Sequence, residues 1–207
     1  MSRGYSPKEI LNMNIPSLPF EGQWADAFGT PGRTGVWIIW GNSGNGKSSF
    51  VMQLAKYLCR FFKKVAYDSL EEGTSLSLKN SIERFHMIEE NGRFEIWDRK
   101  DIEWISEKLS KRRSPEVVII DSFQYFGLTY TAYKAFKERH RNKLIIFTSH
   151  AEGSHPQGRT AKSVAYDADV KIFVSGFRAV CKGRFVTKPG NFYTIWEEGS
   201  AQCNNNI

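Results

Sequence analysis

Gly41-Asn42-Ser43-Gly44-Asn45-Gly46-Lys47-Ser48 is the stretch on which the fold turns. It satisfies G-x-x-x-x-G-K-[ST] at every fixed position, the pattern of a loop that cradles phosphate. Its glycines let backbone N–H groups turn inward around phosphate oxygens without side-chain clashes. Before it lies a short apolar run, Val36-Trp37-Ile38-Ile39-Trp40, which reads as a buried strand. After it, residues 47–61 put Phe50, Val51, Leu54, Ala55 and Leu58 on one helical face. Strand, glycine loop and helix in that order aim the positive end of the helix at the bound anion. Gly41, Asn42, Ser43, Gly44, Asn45, Gly46, Lys47, Ser48 and Ser49 are then the nucleotide-binding residues. Lys47 reaches the outer phosphates and the Ser48 hydroxyl is a Mg²⁺ ligand, so ATP and Mg²⁺ are the implied ligands.

Outward from this loop, strand-like and helix-like segments alternate. Strands are expected at 64–68, 94–97, 117–120 and 144–147, with helices at 76–85, around Ile102, Ile105 and Leu109, and at 131–140. Continuous apolar strands alternating with helices imply a mostly parallel sheet covered on both faces. After Ala161 the runs 170–174, 178–186 and 192–196 follow with little helix between them, and Pro189-Gly190 punctuates the last two. That is an antiparallel hairpin at the C-terminal edge. Asp121 closes the apolar strand Val117-Val118-Ile119-Ile120 at the carboxyl edge of the sheet, where ligands bind, and is a second Mg²⁺ candidate.

Length and composition are consistent with this. At 207 residues the chain is one domain, with residues 1–20 an extended lead-in, 21–198 the core and 199–207 a frayed tail. With 41% hydrophobic and 25% charged residues it is globular. No apolar run approaches the ~20 residues of a membrane helix, and the N-terminus lacks a secretory signal core, so a cytoplasmic protein is expected. The net charge of +7 favours an anionic partner or is simply solubility. Cys59, Cys181 and Cys203 read as ordinary thiols in a reducing compartment.

Asp68-Ser69-Leu70-Glu71-Glu72-Gly73 makes the resemblance specific. A Glu pair directly after the strand that follows the phosphate-loop helix resembles the RecA-like superfamily, in particular its DnaB, RadA and KaiC branch. The resemblance covers about residues 20 to 198 and implies an α/β RecA-like P-loop NTPase. It implies that Glu71, with Glu72 the fallback, orients the attacking water; by itself the pair would read as a solvated acidic turn. His150, in Phe147-Thr148-Ser149-His150, matches the family's γ-phosphate sensor, although a lone His is usually structural. Lys182-Gly183-Arg184-Phe185 resembles the Lys-x-Arg finger that reaches a neighbouring subunit's nucleotide, or is a strand with two exposed basic residues. Among the family, the chain is similar in size and layout to the minimal ATPases of phages and mobile elements. It shows no zinc ribbon, primase-binding or protease-like domain.

The resemblance implies a homo-oligomer, ring or filament, acting on single-stranded DNA beside a single-strand-binding or annealing protein. The polar segment 152–162, with Arg159 and Lys162, occupies the place of the loop lining the DNA channel. Two basic runs, 108–113 and 134–143, and the aromatics Phe123, Tyr125, Phe126 and Tyr130 are further candidates, or a solvated helix face and core. A KaiC-like assembly switch with a protein partner and no DNA is the alternative.

Overall fold

The computed structural model describes residues 3–186 and 190–204. Its centre is a nine-stranded sheet in the order β3-β2-β4-β5-β1-β7-β8-β9, with β6 paired to β5 off that path. The strands are β1 Gly35–Gly41, β2 Val65–Ser69, β3 Phe94–Asp98, β4 Val117–Asp121, β5 Leu144–Glu152, β6 His155–Pro156, β7 Val170–Ser175, β8 Arg178–Gly183 and β9 Phe192–Thr194. From β3 through β7 the main path is parallel, and β8 and β9 add antiparallel. This is the expected α/β architecture with its C-terminal antiparallel addition. Pro189 of the expected punctuation lies outside the described residues.

The α-helices are α1 Pro7–Leu11, α2 Gln23–Phe28, α3 Lys47–Leu58, α4 Leu76–Arg84, α5 Ile102–Ser110, α6 Phe123–Phe126, α7 Tyr130–Arg139, α8 Arg159–Asp167 and α9 Glu197–Asn204. They cover both faces, because side chains alternate along a strand. On β1, Trp37 and Ile39 join one core with Phe50 and Leu54 of α3; Val36, Ile38 and Trp40 join the other with Ile105, Tyr133 and Val164. Val117 to Ile120 are fully buried, which is why they read as an unbroken apolar run.

Three segments differ from expectation. The lead-in holds α1, started by Ser6 with a reciprocal capping box to Glu9, and it sends Leu18 and Phe20 into the core. The tail is helical as far as Asn204, and Arg178 Nε donates to Ser200 Oγ at 2.6 Å to hold that helix on β8. The expected channel loop is a β5–β6 hairpin followed by the start of α8, so Arg159 and Lys162 sit on a helix. Lys162 Nζ is paired with Glu152 at 2.7 Å, which offsets part of the basic character read from the segment.

Cys59, Cys181 and Cys203 are free thiols. Burial pushes the first two up to about 12, so they are inert core groups. The basic run 134–143 is divided. Lys143 is buried, donates to Ser114 Oγ and the Pro115 carbonyl, and is held below the ordinary lysine range by desolvation. His140 is buried with Nε2 2.8 Å from Ser106 Oγ. Phe123 is buried and Phe126 packs against the same core, while Tyr125 and Tyr130 are exposed.

Candidate nucleotide site

The order β2-β4-β5-β1 brings four strand ends side by side, and each delivers at least one candidate. Around one cavity of about 330 Å³ stand Lys47 and Ser48 after β1, Glu71 and Glu72 after β2, Asp121 ending β4 and His150 in β5. That is the carboxyl edge of the parallel strands, the general ligand position in open α/β sheets.

The loop itself is built by close approach and left-handed backbone. A Cβ on Gly41 would lie 2.4 Å from the Val174 carbonyl oxygen of β7, so only glycine lets these strands pack here. Gly44 and Gly46 have φ of 77° and 91°. Gly46 caps α3 without any side-chain acceptor, so the first N–H groups of that helix stay available to an anion. Asn45 is fastened from outside: its Oδ1 accepts from Gly176 N–H at 2.8 Å and its carbonyl from Phe177 N–H at 3.2 Å.

Asp121 is buried, and both carboxylate oxygens are engaged. Tyr67 donates its hydroxyl to Oδ2 at 2.5 Å, and Thr148 donates to Oδ1. Desolvation, reinforced by the Asp121 charge, raises the Tyr67 phenol well above its ordinary value, so it remains a donor. Each carboxylate oxygen keeps a second lone pair. Mg²⁺ is implied by the fold family, and these oxygen donors suit it. Among the described residues no group of three His, Cys, Asp or Glu side chains is placed to hold a metal unaided. Mg²⁺ requires none, being held by one or two protein groups together with substrate phosphates and water.

His150 Nε2 lies 3.5 Å from Glu71 Oε2, both side chains about a third exposed. The strand end carrying His150 is fixed by Gln124 of α6, whose Oε1 accepts the His150 N–H at 3.2 Å and whose Nε2 donates to Ser149 Oγ at 2.8 Å. Glu72 lines the same cavity but accepts from Ser75 Oγ at 3.4 Å, and its carbonyl accepts from Arg99 at 3.1 Å. Below this turn Asp68 is fully buried. Its Oδ1 accepts the Lys100 N–H at 3.1 Å, and burial raises it to about 6.

Lys182 and Arg184 are not part of this cavity. The β7–β8 turn abuts the phosphate loop, and β8 runs away from it for six residues, roughly 20 Å at the rise of a strand. Arg184 pairs with Asp169 at 3.0 Å, and Lys182 faces a separate pocket with Trp40, Lys162, Tyr166 and Lys171. Arg159 and Lys162 also lie outside the phosphate cavity.

Tyr67, Thr148 and Gln124 are site residues that the sequence reading did not assign. Thr148 and Ser149 interrupt an apolar strand, and that interruption is the one signal available for them.

The assembled architecture is the RecA-like P-loop fold, with the phosphate loop after a central strand and acidic groups on the neighbouring strand ends. Among solved structures it is similar to the flagellar accessory protein FlaH from Methanocaldococcus jannaschii, at TM-score 0.64 and 15% identity over 86% of this chain and 93% of that one. It is also similar to a solved ATPase domain, at TM-score 0.52 and 18% identity over 68% and 69% of the two chains. A third likeness is the KaiC-like protein PH0186 from Pyrococcus horikoshii OT3, at TM-score 0.50 and 18% identity over 69% and 71%. No family model and no curated protein sequence matches the chain. Among the described residues no helix is long and apolar enough to cross a membrane.

Proposed function

We propose that the protein is an ATP hydrolase that works as a ring or filament with nucleotide between subunits, and that it acts on single-stranded DNA in replication or recombination. The observation that carries the nucleotide reading is the convergence of Lys47, Ser48, Glu71, Asp121 and His150 on one cavity. The loop amides and the N-terminus of α3 hold the phosphates. Lys47 neutralises charge as it shifts toward the leaving oxygen. Glu71, on the cavity wall, orients the attacking water and draws its proton. His150, within 3.5 Å of Glu71, is placed to register the γ-phosphate beside it. Mg²⁺, when bound, adds charge neutralisation on the phosphate oxygens; Ser48 and Asp121 would hold it. Lys182 and Arg184, distant from their own phosphate loop, serve a neighbour's nucleotide, and Arg159 and Lys162 contact the DNA backbone.

A second reading has specific support. FlaH is covered over 93% of its length, and its name describes an accessory protein of a flagellum. The Lys162–Glu152 pair also lowers the positive charge available to DNA. In that reading, nucleotide state controls assembly with a protein partner. ATP turnover measured with and without single-stranded DNA over a salt series separates the two. Stimulation that fades steeply with salt supports the DNA reading. Turnover indifferent to DNA, with particle size changing on ATP addition, supports the switch. Lys47→Ala should remain folded and be inactive in either case; normal turnover by that variant would defeat the nucleotide reading itself.

A further inference from the structure

Arg99 directly follows β3 and has φ of 51°, in the left-handed region that residues with a long side chain seldom adopt. It stands outside the phosphate cavity, so the conformation does not serve direct contact with a nucleotide. Strain held at one residue directs attention to what its side chain does.

The Arg99 guanidinium lies against Gly73, in the turn that carries Glu71 and Glu72. A Cβ on Gly73 would lie 2.7 Å from Arg99 Cζ and 2.9 Å from Nη1, and Gly73 is itself left-handed with φ of 62°. Arg99 Nη2 donates to the Glu72 carbonyl at 3.1 Å. Asp98, one residue earlier, grips the same turn: its Oδ2 accepts from Thr74 Oγ1 at 3.3 Å. The other side of the turn is held by β4, where the Asp121 carbonyl accepts the Leu70 N–H at 2.7 Å and the Glu71 N–H at 3.1 Å. The Glu71 carboxylate is loosely held, with His150 Nε2 at 3.5 Å, so its direction is set by the backbone on which it stands.

We propose that Arg99 is a positioning residue for hydrolysis: from outside the cavity it clamps the Glu72–Gly73 end of the turn to the end of β3, and so fixes where Glu71 holds the attacking water. The clamp needs two left-handed residues. Gly73 gives up its side chain so that the guanidinium can pass, and Arg99 turns its backbone to bring the guanidinium there. This rests on the reading of Glu71 given above and adds to it the residue that aims it.

The experiment is a double-mutant cycle on single-turnover ATP hydrolysis, with ATP·Mg²⁺ binding followed by calorimetry. Arg99→Asn removes the guanidinium and keeps a residue that tolerates the left-handed backbone; Arg99→Gly does the same and stands in if the first variant fails to fold. Either variant should bind ATP as the unaltered protein does and hydrolyse it about tenfold more slowly, the result of a small misplacement of a catalytic group. Added to Glu71→Gln, the same change should slow hydrolysis no further, because the group that Arg99 aims is already lost. Unchanged turnover, an equal loss in both backgrounds, or ATP binding weakened as much as turnover would each overturn the clamp while leaving Glu71 in its role. Glu71→Gln hydrolysing ATP at the unaltered rate would overturn the reading of Glu71 and this inference with it.

Discussion

Asp68→Asn should raise stability at neutral pH and leave it nearly unchanged in acid. Asp68 is fully buried in β2, with one oxygen bonded to the Lys100 N–H and Oδ2 unpaired. Burial raises its folded value from 3.8 to about 6. Two units correspond to about 3 kcal/mol, at 1.36 kcal/mol each. A carboxyl whose folded value is raised stabilises the native state when protonated, so its contribution is fullest below pH 3.8. Between there and pH 6 the unfolded chain ionises while the native site keeps its proton, and stability falls as pH rises. Above pH 6 both states are ionised and the full cost of the buried charge is present. The protonated acid and the asparagine are close to isosteric. Each keeps an acceptor for Lys100 and puts an unpaired donor group at the Oδ2 position, one hydrogen in the acid and two in the amide, so most of that cost cancels in the comparison. Urea unfolding of both proteins from pH 4 to 8 should therefore show curves that meet in acid and separate by about 3 kcal/mol at pH 8, with equal slopes in denaturant. Parallel curves with a constant offset would refute the argument. ATP turnover should persist in the variant, because the acceptor that holds the Asp98–Lys100 segment beneath Glu72 is retained.

Three further outcomes are expected. Glu71→Gln should bind ATP and hydrolyse it at least about a hundredfold more slowly, while Glu72→Gln is mild; single-turnover rates decide, and the reverse order would move the water-orienting role by one residue. Tyr67→Phe and Thr148→Val should each cost about 1.5–3 kcal/mol in denaturant unfolding, because each removes a hydroxyl donated to the buried Asp121 carboxylate; a loss below ~0.5 kcal/mol would mean these bonds are not made in solution. Arg184→Ala should bind nucleotide without turnover, and mixing it with Glu71→Gln should restore some activity, since the exposed Arg184–Asp169 pair is weak enough to release the guanidinium to a neighbour; an isolated monomer with full activity would exclude a role between subunits.

The parallel core was legible because its physics is local. Residues 117–120 are buried on both faces and are therefore apolar throughout, and α3 shows its buried stripe at helical spacing. The phosphate loop was legible for a similar reason: left-handed Gly44 and Gly46 and the tight Gly41 contact impose glycine directly on the sequence. Residues whose partners lie far along the chain left weaker traces. Trp24 of α2 sits in a stretch rich in proline and glycine, and its structural purpose is visible only when it stacks on Tyr57 at 4.7 Å and on Tyr193 at 4.1 Å. β5 continues past Phe147 because Thr148 and Ser149, although polar, are buried and bonded to Asp121 and Gln124.

The same distinction separates the two kinds of basic residue. Lys47 is specified by a motif whose geometry is contained in eight consecutive residues. Lys162 and Lys143 looked alike in sequence, yet one is paired with Glu152 at the surface and the other is buried on Ser114 and Pro115. A lysine's charge is written in the chain, but whether that charge is offered to a ligand depends on acceptors contributed by other elements. For the +7 net charge of this protein, the groups free to meet an anion are therefore fewer than the sequence count suggests. Binding that depends on them should respond to single substitutions at unpaired lysines more than to net charge, because a cation already bonded to a carboxylate neutralises little of an approaching phosphate and so displaces little of the counterion condensed on the nucleic acid.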